Sequence, residues 1–362
     1  MTKSCSKTTW VKWGRWLLPL VAFAVVFALA RFSAPLYHTP IVQVTALTSS
    51  HRQAVVDNFG NHDVTVTQHV TARWLNTKRR GQRLQLTNQY TKSGAVDSPV
   101  ATGQQLFVTH GSRTWQVSDH KRDGVVLGLF AMTLTLLLLV MRRRFWLTAA
   151  SIGLNTLLFW AALHIEVASH QELAFVLFAV LAVAFTVATM LFITRWTWLT
   201  VVVSASTILA TAAAVLIGYT VFAATGYRGI HLETVKYVTQ APQLLFFVQV
   251  IIGSLGAVMD ECADIAVALF QLPGSARTRF NAGLSIGRNV MGPLIAVLFM
   301  LFIAETLTEA VLWLRNGNAI STTVAWVMGL GFAQSLVSAF GIVLAVPLTS
   351  GLAAWLAKEV RA

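Results

Sequence analysis

A chain of 362 residues that is 56% hydrophobic and 11% charged carries too little charge for a soluble globular domain, where about a quarter of residues are charged. It reads as a polytopic membrane protein. The net charge of +13 does not point to nucleic acid, because many basic residues sit in short loops between apolar runs, where they orient spans. The two cysteines, Cys5 and Cys262, lie before the first span and inside a later one, which excludes a disulfide framework.

The first predicted element is an apolar stretch from Trp16 to Leu36, preceded by Lys3, Lys7, Lys12 and Arg15. That order suits a signal peptide or a signal anchor, and Ala28-Leu-Ala30 has the form of a cleavage site. The apolar run continues through Phe32 and Leu36, so an uncleaved anchor of about 20 residues is expected.

Residues 37–123 change character. Helical periodicity gives way to alternation at Ile41-Val-Gln-Val-Thr-Ala-Leu, Val64-Thr-Val-Thr-Gln-His-Val, Arg83-Leu-Gln-Leu-Thr and Gln105-Leu-Phe-Val-Thr. Asn and Gly turns separate these runs. Short strands at this spacing predict a small β-barrel or sandwich, long enough for its own core.

Seven further spans are expected at 125–141, 145–164, 173–193, 198–224, 244–272, 289–314 and 324–356. The fold class is therefore mainly α: a bundle of about eight transmembrane helices with a β domain inserted between helices 1 and 2. Its parts are 1–36, 37–123 and 124–362. An even number of spans puts both termini on one side. The N-terminal cluster, Arg142-Arg143-Arg144, Arg195, Arg277, Arg279, Lys358 and Arg361 all fall on that side, against Arg228, Lys236 and Arg315 on the other. Positive charge marks the cytoplasmic side, so both termini are expected there and residues 37–123 outside. The sequence shows no convincing internal repeat.

The richest stretch for chemistry is Gly253-Ser-Leu-Gly-Ala-Val-Met-Asp-Glu-Cys-Ala-Asp264, inside the sixth span. Carboxylates in hydrocarbon cost about 2.5–3.5 kcal/mol each at the helix centre and mark ion or proton sites or counter-ions. At about 100° per residue, Asp264 lies roughly 40° from Asp260, and Gln249, Gly253, Gly256 and Gln271 lie within about 40°. Glu261, at roughly 100°, falls to the side of this stripe. An ion or proton site at Asp260, Asp264 and Glu261 is one reading. An ion pair locking Asp260 to Arg288 is the other.

The following segment runs Arg277-Thr-Arg-Phe-Asn-Ala-Gly-Leu-Ser-Ile-Gly-Arg-Asn-Val-Met-Gly-Pro293. Asn281, Ser285, Arg288 and Gly292 share a face within about 60°, with Asn289 beside them. That face is expected at the depth of the carboxylates, where charge pairing is sterically reasonable. Gly292-Pro293 and Pro347 are the candidate hinges, since proline removes a helical hydrogen bond. Glu305 and Glu309 read as interfacial. His164, Glu166 and His170 surround a short loop and fall short of a metal site. Walker A, His-Glu-x-x-His and Gly-x-Ser-x-Gly motifs are absent. No enzyme activity and no cofactor is expected.

Three segments carry a family resemblance: Leu255-Gly-Ala-Val-Met-Asp260, Gly283-Leu-Ser-Ile-Gly-Arg-Asn-Val-Met-Gly292 and Phe340-Gly-Ile-Val-Leu-Ala-Val-Pro-Leu-Thr349. They resemble the YibE/F family of bacterial membrane proteins. Lys78-Arg-Arg-Gly-Gln and Thr102-Gly-Gln-Gln-Leu-Phe-Val resemble that family's outer domain. Asp260 and Arg288 match the family pattern, whereas Asn289 stands where an aspartate is usual and Pro293 where Thr is common. The resemblance implies a bacterial cell membrane and a second, paralogous subunit or a homo-oligomer as partner, besides the lipid bilayer. Two functions fit: a transporter or permease component for a small solute or cation, or a non-transporting assembly or envelope-interaction protein acting through its outer β domain.

Overall fold

The computed structural model describes residues 15–56, 60–94, 97–111, 114–168, 174–234 and 242–359. The chain forms two compact units, one ending at Phe145 and the other starting at Trp146. The first helix after the β domain packs with the helix before it.

In the first unit, α1 (Leu18–Arg31) leads through a 3₁₀ turn (Ala34–Leu36) into five strands. The helix stops at Arg31, short of Leu36, because Pro35 cannot continue it. Its 14 residues rise about 21 Å; the segment before residue 15 lies outside the described residues. The strands are β1 (Ile41–Val56), β2 (His62–Trp74), β3 (Arg83–Thr91), β4 (Gln105–His110) and β5 (Trp115–His120). They close into a barrel in the order β1-β2-β3-β5-β4. β1 pairs with β2 on one edge and β4 on the other. The alternation read from the sequence turns Val42, Val44, Val70, Ala72, Leu86, Leu106 and Val108 into the barrel. Trp115 closes one end, edge-on to Trp74 at 4.9 Å. The interior polar groups are paired: Gln68 Oε1 accepts from Asn88 Nδ2 at 3.1 Å and from Val100 N at 3.0 Å.

The chain leaves the barrel through α2 (Asp123–Met141), which packs on α1. Gly124 and Gly128 face Phe27 and Phe23, giving the close contact that small residues allow between helices. A polar clamp joins the two helices to the barrel. Lys121 Nζ donates to the Ala30 carbonyl at 2.6 Å and to Asp123 at 2.8 and 2.9 Å. Tyr37 Oη donates to Asp123 Oδ2 at 2.7 Å. Gln105 Nε2 donates to the Arg31 carbonyl at 3.0 Å. The hydrogen bond to Asp123, followed by burial, holds the Tyr37 phenol above its ordinary pKa of 10.0. A raised folded-state value stabilises fully below the unfolded pKa and is lost as pH rises through the folded one. Thermal melts above pH 10.0 should fall more steeply for the parent chain than for Tyr37→Phe; parallel curves would refute the assignment.

The second unit holds α3 (Arg143–Ala168), α4 (Ala174–Thr194), α5 (Trp198–Ala224), α6 (Pro242–Gln271), α7 (Ala276–Arg315) and α8 (Gly329–Glu359). By length and composition, seven helices among the described residues can cross a membrane, α2 to α7 and the Ile320–Leu356 stretch that contains α8. The protein is a multi-pass membrane protein with its apolar helix faces against lipid. α6 is central, packing on α8, α5, α4 and α7. Val258, Cys262, Ile265 and Leu269 of α6 interleave with Val202, Val203 and Ala210 of α5 and with Ile342 and Ala345 of α8.

Two boundaries differ from expectation. α7 starts at Ala276 rather than near 289, because the Ser275 side chain caps it by accepting from Thr278 N at 3.2 Å. It then runs unbroken across Pro293 to 40 residues, about 60 Å, or roughly twice the hydrocarbon thickness. The interruption lies elsewhere: Val324–Met328 is π-helical, between Ile320–Thr323 and α8.

Candidate functional site

α6 presents two chemically distinct faces. Gln249, Gly253, Gly256, Asp260, Asp264 and Gln271 are all exposed on the surface of the unit. The polar stripe read from the sequence is thus the outward face of the central helix. Gln334 of α8 borders it, with Nε2 3.0 Å from where a Gly253 Cβ would sit. Gly256 has open space beside it.

α7 repeats the arrangement. Asn281, Ser285, Arg288, Asn289, Gly292 and Pro293 are exposed, whereas Arg279, Gly283 and Gly287 are buried. Arg279 Nε donates to the Leu272 carbonyl at 3.2 Å and so caps the end of α6. Gly283 and Gly287 are notches for α8: a Cβ at Gly283 would lie 2.8 Å from Ser350 Cβ, and one at Gly287 would meet Val346. Two glycines of the family-like motif therefore serve packing, and Arg288 beside them points outward. Pro347 is an exposed proline within α8.

Counted from the α6–α7 turn, Asp260 and Arg288 are at matching heights, each roughly 17 Å along its helix. Among the described residues neither takes part in an ion pair. The same holds for Asp264. The carboxylates and the arginine share a level without forming the lock that the sequence allowed.

Glu261 lies off the exposed stripe and inside the bundle. It is fully buried, at 0% exposure, and neither carboxyl oxygen has a hydrogen-bond partner among the described residues. The hydroxyls of Ser204, Ser206, Thr207, Thr211 and Thr349 are buried in the same condition. The Cys262 thiol beside Glu261 faces Thr207 of α5 and Thr349 of α8. These buried polar groups of α5, α6 and α8 were missed. The signal that could have found part of them is Ser204, Thr207 and Thr211 of α5, whose i, i+3, i+7 spacing puts them on one helix face.

The remaining candidates lie apart. Glu305 and Glu309 are exposed on α7. Glu166 is buried in α3, His164 Nδ1 lies 3.1 Å from the Trp160 carbonyl oxygen, and His170 lies outside the described residues. Trp326 of the π-helical turn stacks on His231 at 3.7 Å, and His231 lies 3.1 Å from Glu233.

Comparison with known proteins gives no match among curated proteins or solved structures. A family model described as the YibE/F family N-terminal domain matches residues 35–120, which contain the barrel. A second, described as a YibE/F-like protein, matches residues 129–359, and with barrel, bundle and the motif residues Asp260 and Arg288 all inside these matches, the chain belongs to the YibE/F family.

Proposed function

We propose that the chain is a component of a membrane transporter for a small solute or cation, with its pathway along the open polar faces of α6 and α7. One observation carries this: Asp260 and Asp264 lie on an exposed stripe at the height of an equally exposed Arg288 that has no ion-pair partner among the described residues. Facing lipid, such groups are costly. Water or a second membrane subunit meets them at far lower cost. A copy of this chain or a paralogue would supply that second wall.

In this reading Asp260 and Asp264 hold the cation or proton, and Arg288 is the counter-charge released or engaged as the site fills. Gly292-Pro293 and Pro347 supply points where helices α7 and α8 can bend. Glu261, buried one residue along from Asp260, offers an inner acceptor for a proton. The positive-inside asymmetry puts both termini in the cytoplasm and the barrel outside. No chemical step is assigned to the protein.

The test is flux in proteoliposomes, with a proton-sensitive dye and a panel of monovalent and divalent cations as probes. Asp260→Asn should reduce flux at least tenfold while the protein remains monodisperse. Equal flux through the parent and the folded variant would sink the proposal.

A further inference from the structure

The barrel carries a second site, independent of the transport reading. β3 and β5 are joined at one register pair, Thr87 with Gln116, so the seam between them opens into a cleft of about 710 Å³. The strand registers align a row of outward side chains across it. Thr48 of β1 is opposite His69 of β2, His69 is opposite Thr87 of β3, and Thr87 is opposite Gln116 of β5. Four strands span roughly 14 Å, the length of a short oligosaccharide. Flanking rows add Thr71 with Gln85 on one side and Gln89 on the other.

The chemistry of this wall is uniform. Its outward groups are hydroxyls, amides and the His69 imidazole, Trp115 adds an apolar ring, and among the described residues Asp97 is the one carboxylate lining the cleft. Amide forks donate to and accept from adjacent hydroxyls, a carboxylate accepts from them, and an indole packs against a sugar's C–H face. The geometry points to a binding site for a neutral glycan chain. The runner-up ligand for an outer barrel face is single-stranded nucleic acid, which needs a basic track and stacked aromatics. Among the described residues lining the cleft there is no Lys or Arg, and the residues aligned across the strands are Thr, Gln and His.

Isothermal titration of the full chain in detergent with neutral linear oligosaccharides, including a β-1,4-linked N-acetylglucosamine tetramer and a maltose-series tetramer, tests this. Saturable binding by at least one is expected, insensitive to salt, and weakened at least tenfold in Gln85→Ala/Gln116→Ala. Those side chains are exposed, so the barrel should keep its melting temperature. Asp97→Ala should weaken the same ligand separately. The proposal is overturned if no neutral oligosaccharide binds, if binding survives the double substitution, or if only an oligothymidylate binds and does so with steep salt dependence.

Discussion

Asp123→Asn is expected to destabilise the barrel-and-helix unit by about 3–5 kcal/mol, the range for breaking a buried pair from one side. Lys121 has a side-chain exposure of 1%, so its ammonium cannot turn to water when its partner is neutralised. The Ala30 carbonyl and the Ser33 hydroxyl remain, but neither carries charge. Lys121→Met should cost less, because it removes the buried charge itself. Asp123, with a side-chain exposure of 20%, keeps solvent and the Tyr37 hydroxyl. The double variant should recover much of the loss, since apolar or neutral replacements of buried pairs are often tolerated. Thermal melts of the four chains in detergent check the order. A double variant no better than Asp123→Asn would refute the clamp as an isolated charge pair.

Gly287→Ala should cost about 1–3 kcal/mol by overpacking. Its Cβ would fall on Val346, a β-branched side chain of fixed rotamer on α8. Part of that loss is offset by helix propensity, about 1 kcal/mol in favour of Ala. Gly292→Ala is the matched control on the same helix. Nothing lies within 4 Å of its Cβ position, so propensity alone acts and stability should hold or rise. Val346→Ala should partly rescue Gly287→Ala by making room. Equal melting temperatures for the two glycine variants would contradict the α7–α8 contact.

Periodicity made much of this architecture legible. The bounds read for α5 agree with the structure because a long apolar run there has a threonine cap at Thr197 and ends where Gly226 reverses the chain. Four strands were readable from alternation. β5 was passed over, although Trp115-Gln-Val-Ser alternates, because six residues after a glycine turn carry little signal beside a span. The start of α7 was misplaced since Arg277, Arg279 and Asn281 look like loop residues, while the Ser275 cap and the absence of proline between Ser275 and Gly292 decide for helix. The site was half legible. A helical wheel groups Asp260 with Asp264 correctly, but it has no origin. Which face meets neighbours is set by α5 and α8 packing on α6, and that choice buried Glu261 and left the aspartates outside.

The clamp at the base of the barrel also sets an order of events during synthesis. Ala30 and Ser33 lie roughly 90 residues upstream of the lysine that satisfies them. β1 likewise waits for β4 before its second edge is paired. Contacts this distant in sequence close late, after the loop entropy between them has been overcome. Until Lys121 and Asp123 have emerged from the ribosome, all five strands can be present, but the end of the first helix lacks the polar partner that ties it to the barrel. The lead-in to α2 is therefore the latch between the first helix and the barrel, and a chain stopped before Lys121 should be recognised by quality-control proteases as incompletely folded.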